Sequence, residues 1–96
     1  MLLDKKLVSK SLVNENVEGV VNFLKCYLKK SPEPNVCTCE ECLMDIIAIS
    51  LNNLKPRYRL ICRHMHKDQE MVIKINSEIE EVVIKAIEFV KKQPHH

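Results

Sequence analysis

The sequence has a single glycine and no tryptophan among its 96 residues, and it has only two phenylalanines and two tyrosines. A β-sandwich or barrel needs many tight turns, so the shortage of glycine favours helices. With so few aromatic rings, the chain is poorly suited to bind single-stranded nucleic acid by base stacking. The net charge of +2 is too small to indicate a duplex-binding protein. The composition therefore argues against a nucleic-acid polymer as partner.

Long apolar runs are also missing, since no stretch approaches the roughly 18 residues that a transmembrane helix needs. No signal peptide is recognisable at the N-terminus. Five cysteines, an odd number, in such a chain indicate a reducing compartment. We therefore expect a cytoplasmic protein that does not enter a membrane. No repeat, linker or low-complexity tract divides the sequence, so we expect one domain over residues 1–96.

The strongest chemical signal is a cluster of three cysteines within six residues, Cys37, Cys39 and Cys42. Thiols this close together cannot all pair with one another in good disulfide geometry. A single zinc ion, in contrast, can bind three thiolates at once. The CxC and CxxC spacing therefore predicts a closed structural zinc site. The alternative is a set of free or redox-active cysteines.

A closed zinc site needs a fourth ligand, and four residues compete for that position: Cys26, Cys62, His95 and His96. Cys62 follows a predicted helix and a strand of similar length, so the chain can return to the cysteine cluster there. The last helix also travels back and brings both terminal histidines with it. Cys26 has the weakest case, because its position fits an ordinary helix residue. Spacing alone leaves the fourth ligand open.

Hydrophobic periodicity predicts a first helix over residues 14–30 and a second over residues 40–54. Gly19 interrupts the first, where it is either tolerated or allows a second helix to approach closely. The second helix has apolar residues on most of its circumference, and three helices of one monomer can hardly cover all of that surface. The sequence therefore predicts a homodimer, the commonest symmetric assembly.

The third helix is expected to begin at a capping box formed by Ser77 and Glu80 and to end near Lys92. Residues 57–63 and 71–75 are interpreted as two strands of a small hairpin between the second and third helices. The predicted fold is thus mainly α, a small dimeric three-helix domain with a short β-hairpin. Arg57 and Arg59 share one face of the first strand and are candidate phosphate ligands, unless that face is simply solvated.

The central motif resembles the signature of the late competence development protein ComFB family. The motif is Val36-Cys37-x-Cys39-x2-Cys42-x2-Asp45-Ile46-x-Ala48-x2-Leu51-Asn52-x-Leu54-x-Pro56-x-Tyr58. The leading Leu12-Val13-Asn14 and the closing Val83-Ile84-Lys85-Ala86-Ile87-x2-Val90 are similar as well. The resemblance covers nearly the whole chain, and its specific part is the cysteine motif.

The resemblance implies a small α-rich dimer with a short β element and a structural zinc ion in members that carry the cysteines. Members often close with Asn-Pro-x-His or a similar sequence. Gln93-Pro94-His95-His96 matches that ending and puts His96 in the ligand position. Some relatives are receptors for cyclic dinucleotides such as c-di-GMP or c-di-AMP, although those relatives generally lack the cysteine cluster.

No pair of catalytic acid and base is recognisable, and four protein ligands leave no open position on zinc for water or substrate. We therefore expect a non-enzymatic, competence-related regulatory protein with structural zinc. Cyclic dinucleotide binding at Arg57 and Arg59 is a further expectation. The alternative function is a thiol-based redox switch that releases zinc on oxidation.

Overall fold

The computed structural model describes residues 4–30, 37–60 and 68–92. In chain order, the elements are helix α1 (Lys5–Ser11), strand β1 (Leu12–Asn14), helices α2 (Glu15–Lys30) and α3 (Glu40–Asn52), strand β2 (Tyr58–Leu60) and helix α4 (Gln69–Lys92). The prediction of a mainly helical fold is confirmed for these ranges. None of the helices within them is long and apolar enough to cross a lipid bilayer.

Helices α2, α3 and α4 pack against one another and form the core. Each contributes residues three or four positions apart, as expected for one face of a helix with 3.6 residues per turn. The buried apolar residues are Val20, Leu24, Cys42, Ile46, Leu54, Ile79, Val83, Ala86, Ile87 and Val90. Cys42, one of the three clustered cysteines, is part of this core.

Gly19 lies at the contact between α2 and α4. A Cβ atom at this position would be only 2.7 Å from Cδ1 of Ile79. Non-bonded carbon atoms prefer separations of about 3.5–4.0 Å, so any larger residue would force Ile79 to move. Of the two interpretations of Gly19, close approach by a second helix is the one that the structure bears out.

Helix α4 begins earlier than predicted, so the expected strand over 71–75 and the capping box at Ser77 are both wrong. Asp68 is the residue that caps the helix, since its Oδ1 accepts a hydrogen bond from the backbone N–H of Met71 at 2.8 Å. Ser77 lies inside α4 and is exposed. A short apolar run fits a strand or a helix equally well. Here the run continues through Ile75 and Ile79 towards the core at helical spacing.

The two strands form an antiparallel sheet, but not the predicted hairpin between the second and third helices. Strand β2 pairs with β1, which precedes α2, in the register Leu12↔Leu60, Val13↔Arg59 and Asn14↔Tyr58. The first core helix therefore begins at Glu15 rather than at residue 14. The error has a plain cause, because three residues of strand carry almost no periodic signal. Within the predicted strand 57–63, residues 61–63 lie outside the described ranges.

Helix α1 was not predicted. Asp4 caps it, since Oδ1 of Asp4 accepts from the backbone N–H of Leu7 at 2.7 Å. None of its residues is buried. The helix leads directly into β1, where the N–H of Leu12 bonds to the carbonyl of Val8.

Candidate metal centre

The three clustered cysteines lie at the start of α3. Cys39 is the N-cap residue, with extended backbone angles of φ −68° and ψ 158°. Its Sγ accepts a hydrogen bond from the backbone N–H of Cys42 at 3.4 Å, and its carbonyl accepts from Leu43 at 3.0 Å. The helix start thus fixes the positions of Cys39 and Cys42 relative to each other.

The Sγ atoms of Cys37, Cys39 and Cys42 all lie within 4.8 Å of one another. In a tetrahedral zinc site with Zn–S bonds of about 2.3 Å, the sulfur atoms are about 3.8 Å apart. The three sulfur atoms would therefore need to move only slightly closer together to bind a metal ion. Cys42 is fully buried, whereas Cys37 and Cys39 are half-buried. The structure brings together the three cysteines that the sequence singled out, in an arrangement that could hold a metal.

Local electrostatics favour the thiolate form at this position. The hydrogen bond from the backbone N–H of Cys42 is the main cause that lowers the pKa of the Cys39 thiol from its usual value. A side-chain hydrogen bond with Cys37 lowers that pKa further. The positive end of the α3 dipole acts in the same direction. Thiolate is the form of cysteine that binds metals, so the start of α3 favours the metal-binding form of Cys39.

Acidic residues follow the cysteines in the first turns of α3. Glu40 and Glu41 occupy the first turn, and together with Met44 and Asp45 they line a depression on this helix. Glutamates in a first helical turn interact favourably with the helix dipole. Their negative charge favours a cation at this end of the helix, and a bound cation would in turn stabilise the thiolates.

Among the described residues, no fourth cysteine, histidine, aspartate or glutamate joins the three cysteines in a group that could hold a metal ion. Cys26 is exposed on α2 and is not part of the group. Cys62, His95 and His96 lie outside the described residues. The prediction of His96 as the fourth ligand therefore stays a prediction, with Cys62 and His95 as its competitors.

Arg57, one of the two candidate phosphate ligands, is bound to protein groups on two helices. Its Nη2 forms an ion pair with Oε2 of Glu78 on α4 at 2.7 Å. Its Nη1 donates to Oδ1 of Asn16 on α2, also at 2.7 Å. Asn16 is only 1% exposed. Arg57 thus connects α2 and α4 through a buried polar group that sequence periodicity did not reveal.

Arg59 is held in a similar way, because its Nε forms an ion pair with Oε1 of Glu15 at 2.7 Å. The two arginine side chains are 23% and 19% exposed. The predicted alternation along the strand is present. However, the arginines lie on the partly buried face, while Tyr58 and Leu60 are exposed. The acidic partners could not be identified from the sequence, since neither is near the strand in the chain.

Comparison with known proteins gives two matches. Residues 11–94 match the family model described as late competence development protein ComFB. The fold is similar to the solved structure of the late competence protein ComFB from Bacillus subtilis, with a TM-score of 0.58 and 22% sequence identity. That match covers 86% of this chain and 93% of the other. Comparison with curated protein sequences gives no significant match.

Proposed function

The chain belongs to the late competence development protein ComFB family, and we propose that it is a non-enzymatic regulatory protein with a structural zinc ion. The observation that supports this proposal is the convergence of three thiols at the start of α3. Zinc is the metal that sites rich in cysteine select when they are structural and tetrahedral. A reducing cytoplasm is the compartment in which such thiolates persist.

A structural role fits the burial of the cluster. Cys42 belongs to the hydrophobic core, and Cys37 and Cys39 pack against it. A metal ion held by all three would attach the segment before α3 to the centre of the molecule. With a fourth protein ligand the coordination shell is full, which leaves no position for water or substrate. The proposal therefore assigns no enzymatic reaction to this site.

Metal analysis of purified protein and of two variants tests the zinc proposal. The protein should contain one zinc ion per chain, and Cys39→Ser should lose the zinc and unfold at a much lower temperature. Binding of structural zinc contributes on the order of 10 kcal/mol to the folding of small domains, so the effect should be large. Cys26→Ser is the matched control, because Cys26 is exposed and outside the cluster. A Cys39→Ser protein with an unchanged melting temperature would refute a structural role.

A redox switch is the second candidate, and the geometry favours it in one respect. Two of the three thiols are only half-buried, and all three Sγ atoms lie within 4.8 Å of one another. Hydrogen peroxide could oxidise two thiolates to a disulfide and be reduced to water, with release of zinc. Mild peroxide followed by a thiol reductant tests this function. Zinc that is released and then rebound would support the switch, and zinc that is retained would exclude it.

The proposal also includes a homodimer and, as a separate part, binding of a cyclic dinucleotide such as c-di-GMP or c-di-AMP. A phosphate at the arginine pair must compete with Glu78 at Arg57 and with Glu15 at Arg59. Binding would therefore be an exchange of ion pairs, favoured because Arg binds phosphate bidentately. Calorimetric titration with each dinucleotide tests this part. Heat that persists in an Arg57→Ala, Arg59→Ala double variant would exclude the arginine pair as the site.

A further inference from the structure

The three thiols of the cysteine cluster differ in their access to solvent. Cys42 is fully buried, whereas Cys37 and Cys39 are half-buried. Access is one of the factors that control whether a thiol exchanges with a disulfide. A reagent in solution therefore meets Cys37 or Cys39 first. Cys42 reacts most readily with a sulfur atom that is already in the cluster.

The start of α3 holds Cys39 and Cys42 next to each other. Cys39 is the N-cap residue, and its Sγ accepts a hydrogen bond from the backbone N–H of Cys42 at 3.4 Å. Residues three apart on a helix have Cβ atoms roughly 5–6 Å apart, and a disulfide brings them to about 3.5–4.5 Å. The two Sγ atoms already lie within 4.8 Å of each other. A shift on the order of 1 Å at the helix start would therefore give disulfide geometry.

The other two possible disulfides involve Cys37, which precedes the helix. A bond between Cys37 and Cys39 spans a single residue and closes the smallest ring, so it departs furthest from preferred disulfide geometry. Strained disulfides are more easily reduced. Exchange among the three sulfur atoms would then move such a bond to the less strained pair, Cys39 and Cys42. For Cys37 with Cys42, no turn of the helix joins the two residues.

We propose that Cys39 and Cys42 are a dithiol pair that exchanges with small disulfides, in which Cys39 attacks and Cys42 resolves. The Cys39 sulfur attacks a disulfide R–S–S–R, forms a Cys39–S–R mixed disulfide and releases RS⁻, which takes up the Cys39 proton. The Cys42 sulfur then attacks Sγ of Cys39 and releases the second RS⁻, which takes up the Cys42 proton. Two protein thiols are thereby oxidised to one disulfide, and R–S–S–R is reduced to two R–SH.

This inference rests on the redox switch of the proposed function and adds to it the disulfide pair, the role of each thiol and a class of oxidant. The reverse reaction uses the same difference in access. A small thiol reaches the half-buried sulfur of Cys39, and the buried sulfur of Cys42 leaves. The pair is thus reduced again by the kind of thiol that its oxidation releases.

Charge near the pair selects among small disulfides. Glu40 and Glu41 lie between the two cysteines in the chain, and both are exposed in the first turn of α3. Their carboxylates attract cationic reagents and repel anionic ones. Cystamine, whose ends are ammonium groups, should therefore react faster than glutathione disulfide, which has a net negative charge.

Disulfide mapping tests the identity of the pair. Purified Cys26→Ser protein is the starting material, because Cys26 is exposed and outside the cluster. It is treated with cystamine, its remaining thiols are alkylated, and a protease that cleaves after glutamate cuts between Cys39 and Cys42. Mass spectrometry should find the two fragments joined by a disulfide, with Cys37 alkylated. Any other disulfide as the final product would overturn the assignment.

Trapping of the mixed disulfide tests the role of each thiol. In the same Cys26→Ser protein, Cys42→Ser should accumulate cystamine-derived mixed disulfide on Cys39, because the resolving thiol is missing. Cys37→Ser is the matched control, since it also removes one thiol of the cluster but keeps the pair. It should accumulate at least about tenfold less mixed disulfide and go on to the internal disulfide. Equal accumulation, or mixed disulfide on Cys37 rather than Cys39, would contradict the roles, and the mapping above requires neither variant to fold.

The ratio of the rates with cystamine and with glutathione disulfide tests the selection by charge. Glu40→Gln with Glu41→Gln should lower this ratio by about threefold or more, because it removes the attraction while the chemistry of the two reagents is unchanged. An unchanged ratio would show that these carboxylates do not select the disulfide.

The outcomes separate this inference from the redox switch itself. If mild peroxide releases zinc reversibly but neither small disulfide oxidises the cluster, exchange is overturned and the redox switch stands. If peroxide and both disulfides leave the thiols reduced, both are overturned. A Cys39–Cys42 disulfide that forms with cystamine and is reversed by a small thiol would support this inference.

Discussion

At the scale of single residues, Asn16 shows how the fold accommodates a buried amide. Its Nδ2 donates to the carbonyl of Lys55 at 2.8 Å, and its Oδ1 accepts from Nη1 of Arg57 at 2.7 Å. Among the described residues, no buried side-chain nitrogen or oxygen lacks a hydrogen-bond partner. Because buried polar groups are costly when unpaired, the position of Arg57 is tied to that of Asn16. Arg57 thus has a structural role, whatever else it binds.

Replacing Arg57 by alanine should therefore destabilise the protein. The change removes the partner of a buried oxygen on Asn16 and the ion pair to Glu78, which should lower the free energy of unfolding by roughly 1–3 kcal/mol. Lys85→Ala is the control, because it breaks only the exposed ion pair to Glu81. That change should alter stability by no more than about 0.5 kcal/mol. Equal urea midpoints for the two variants would contradict the structural role of Arg57.

The fourth metal ligand is a second question for single residues. A neutral imidazole with three thiolates and Zn²⁺ leaves a net charge of −1, whereas a fourth thiolate leaves −2. The smaller charge is easier to hold at a partly exposed edge. We therefore expect deletion of His95 and His96 to weaken zinc binding far more than Cys62→Ser does. Chelator competition compares both changes in one assay, and a loss of affinity in Cys62→Ser alone would identify Cys62 as the ligand.

At the scale of elements, the first turns of α4 are its least supported part. The buried residues of α4 are Ile79, Val83, Ala86, Ile87 and Val90, so the helix extends well beyond the core at its N-terminal end. Among the described residues, tertiary support for these turns is limited to contacts such as Ile75 with the core and the ion pair of Glu78 with Arg57, so local interactions must contribute to their stability. The cap at Asp68 is one such local interaction.

Removing the Asp68 side chain should consequently shorten α4. Asp68→Ala should cost about 1 kcal/mol and lower the helical signal in circular dichroism. Asp68→Asn should have a smaller effect, since asparagine is also a good N-cap. Ser77→Ala should be neutral or slightly stabilising, because Ser77 lies inside the helix, where alanine is the better helix former. A large loss in Ser77→Ala would instead indicate a helix that begins near residue 77.

At the scale of the whole molecule, most of the exposed large apolar side chains of the described residues lie on elements other than α3, where the cysteine cluster is. If the chain binds zinc and forms the proposed homodimer, the two properties should therefore be separable by mutation.

Thermal unfolding should report the dimer directly. If the folded state is a dimer, mass action makes its melting temperature rise with protein concentration. A melting temperature of the unmodified chain that does not change over a hundredfold range of concentration would contradict the dimer.

The sequence by itself determined the features that depend on residues close together in the chain. Three cysteines within six residues must lie near one another, and the start of α3 brings their thiols together. Stripes at helical spacing located α2, α3 and the buried half of α4, because burial of one helix face imposes that period. The family resemblance rested on the same local motif, and the family match confirmed it.

Only the tertiary structure decided the features that join distant parts of the chain. The partner of β2 is a strand more than forty residues earlier, and pairing over such separations leaves no local pattern in the sequence. The ion pairs of Arg57 with Glu78 and of Arg59 with Glu15 likewise depend on how the helices pack. That packing placed the arginine face of the strand towards the protein and left Tyr58 exposed. The side chains of a strand alternate between two faces, so the strand sequence alone does not decide which face is buried.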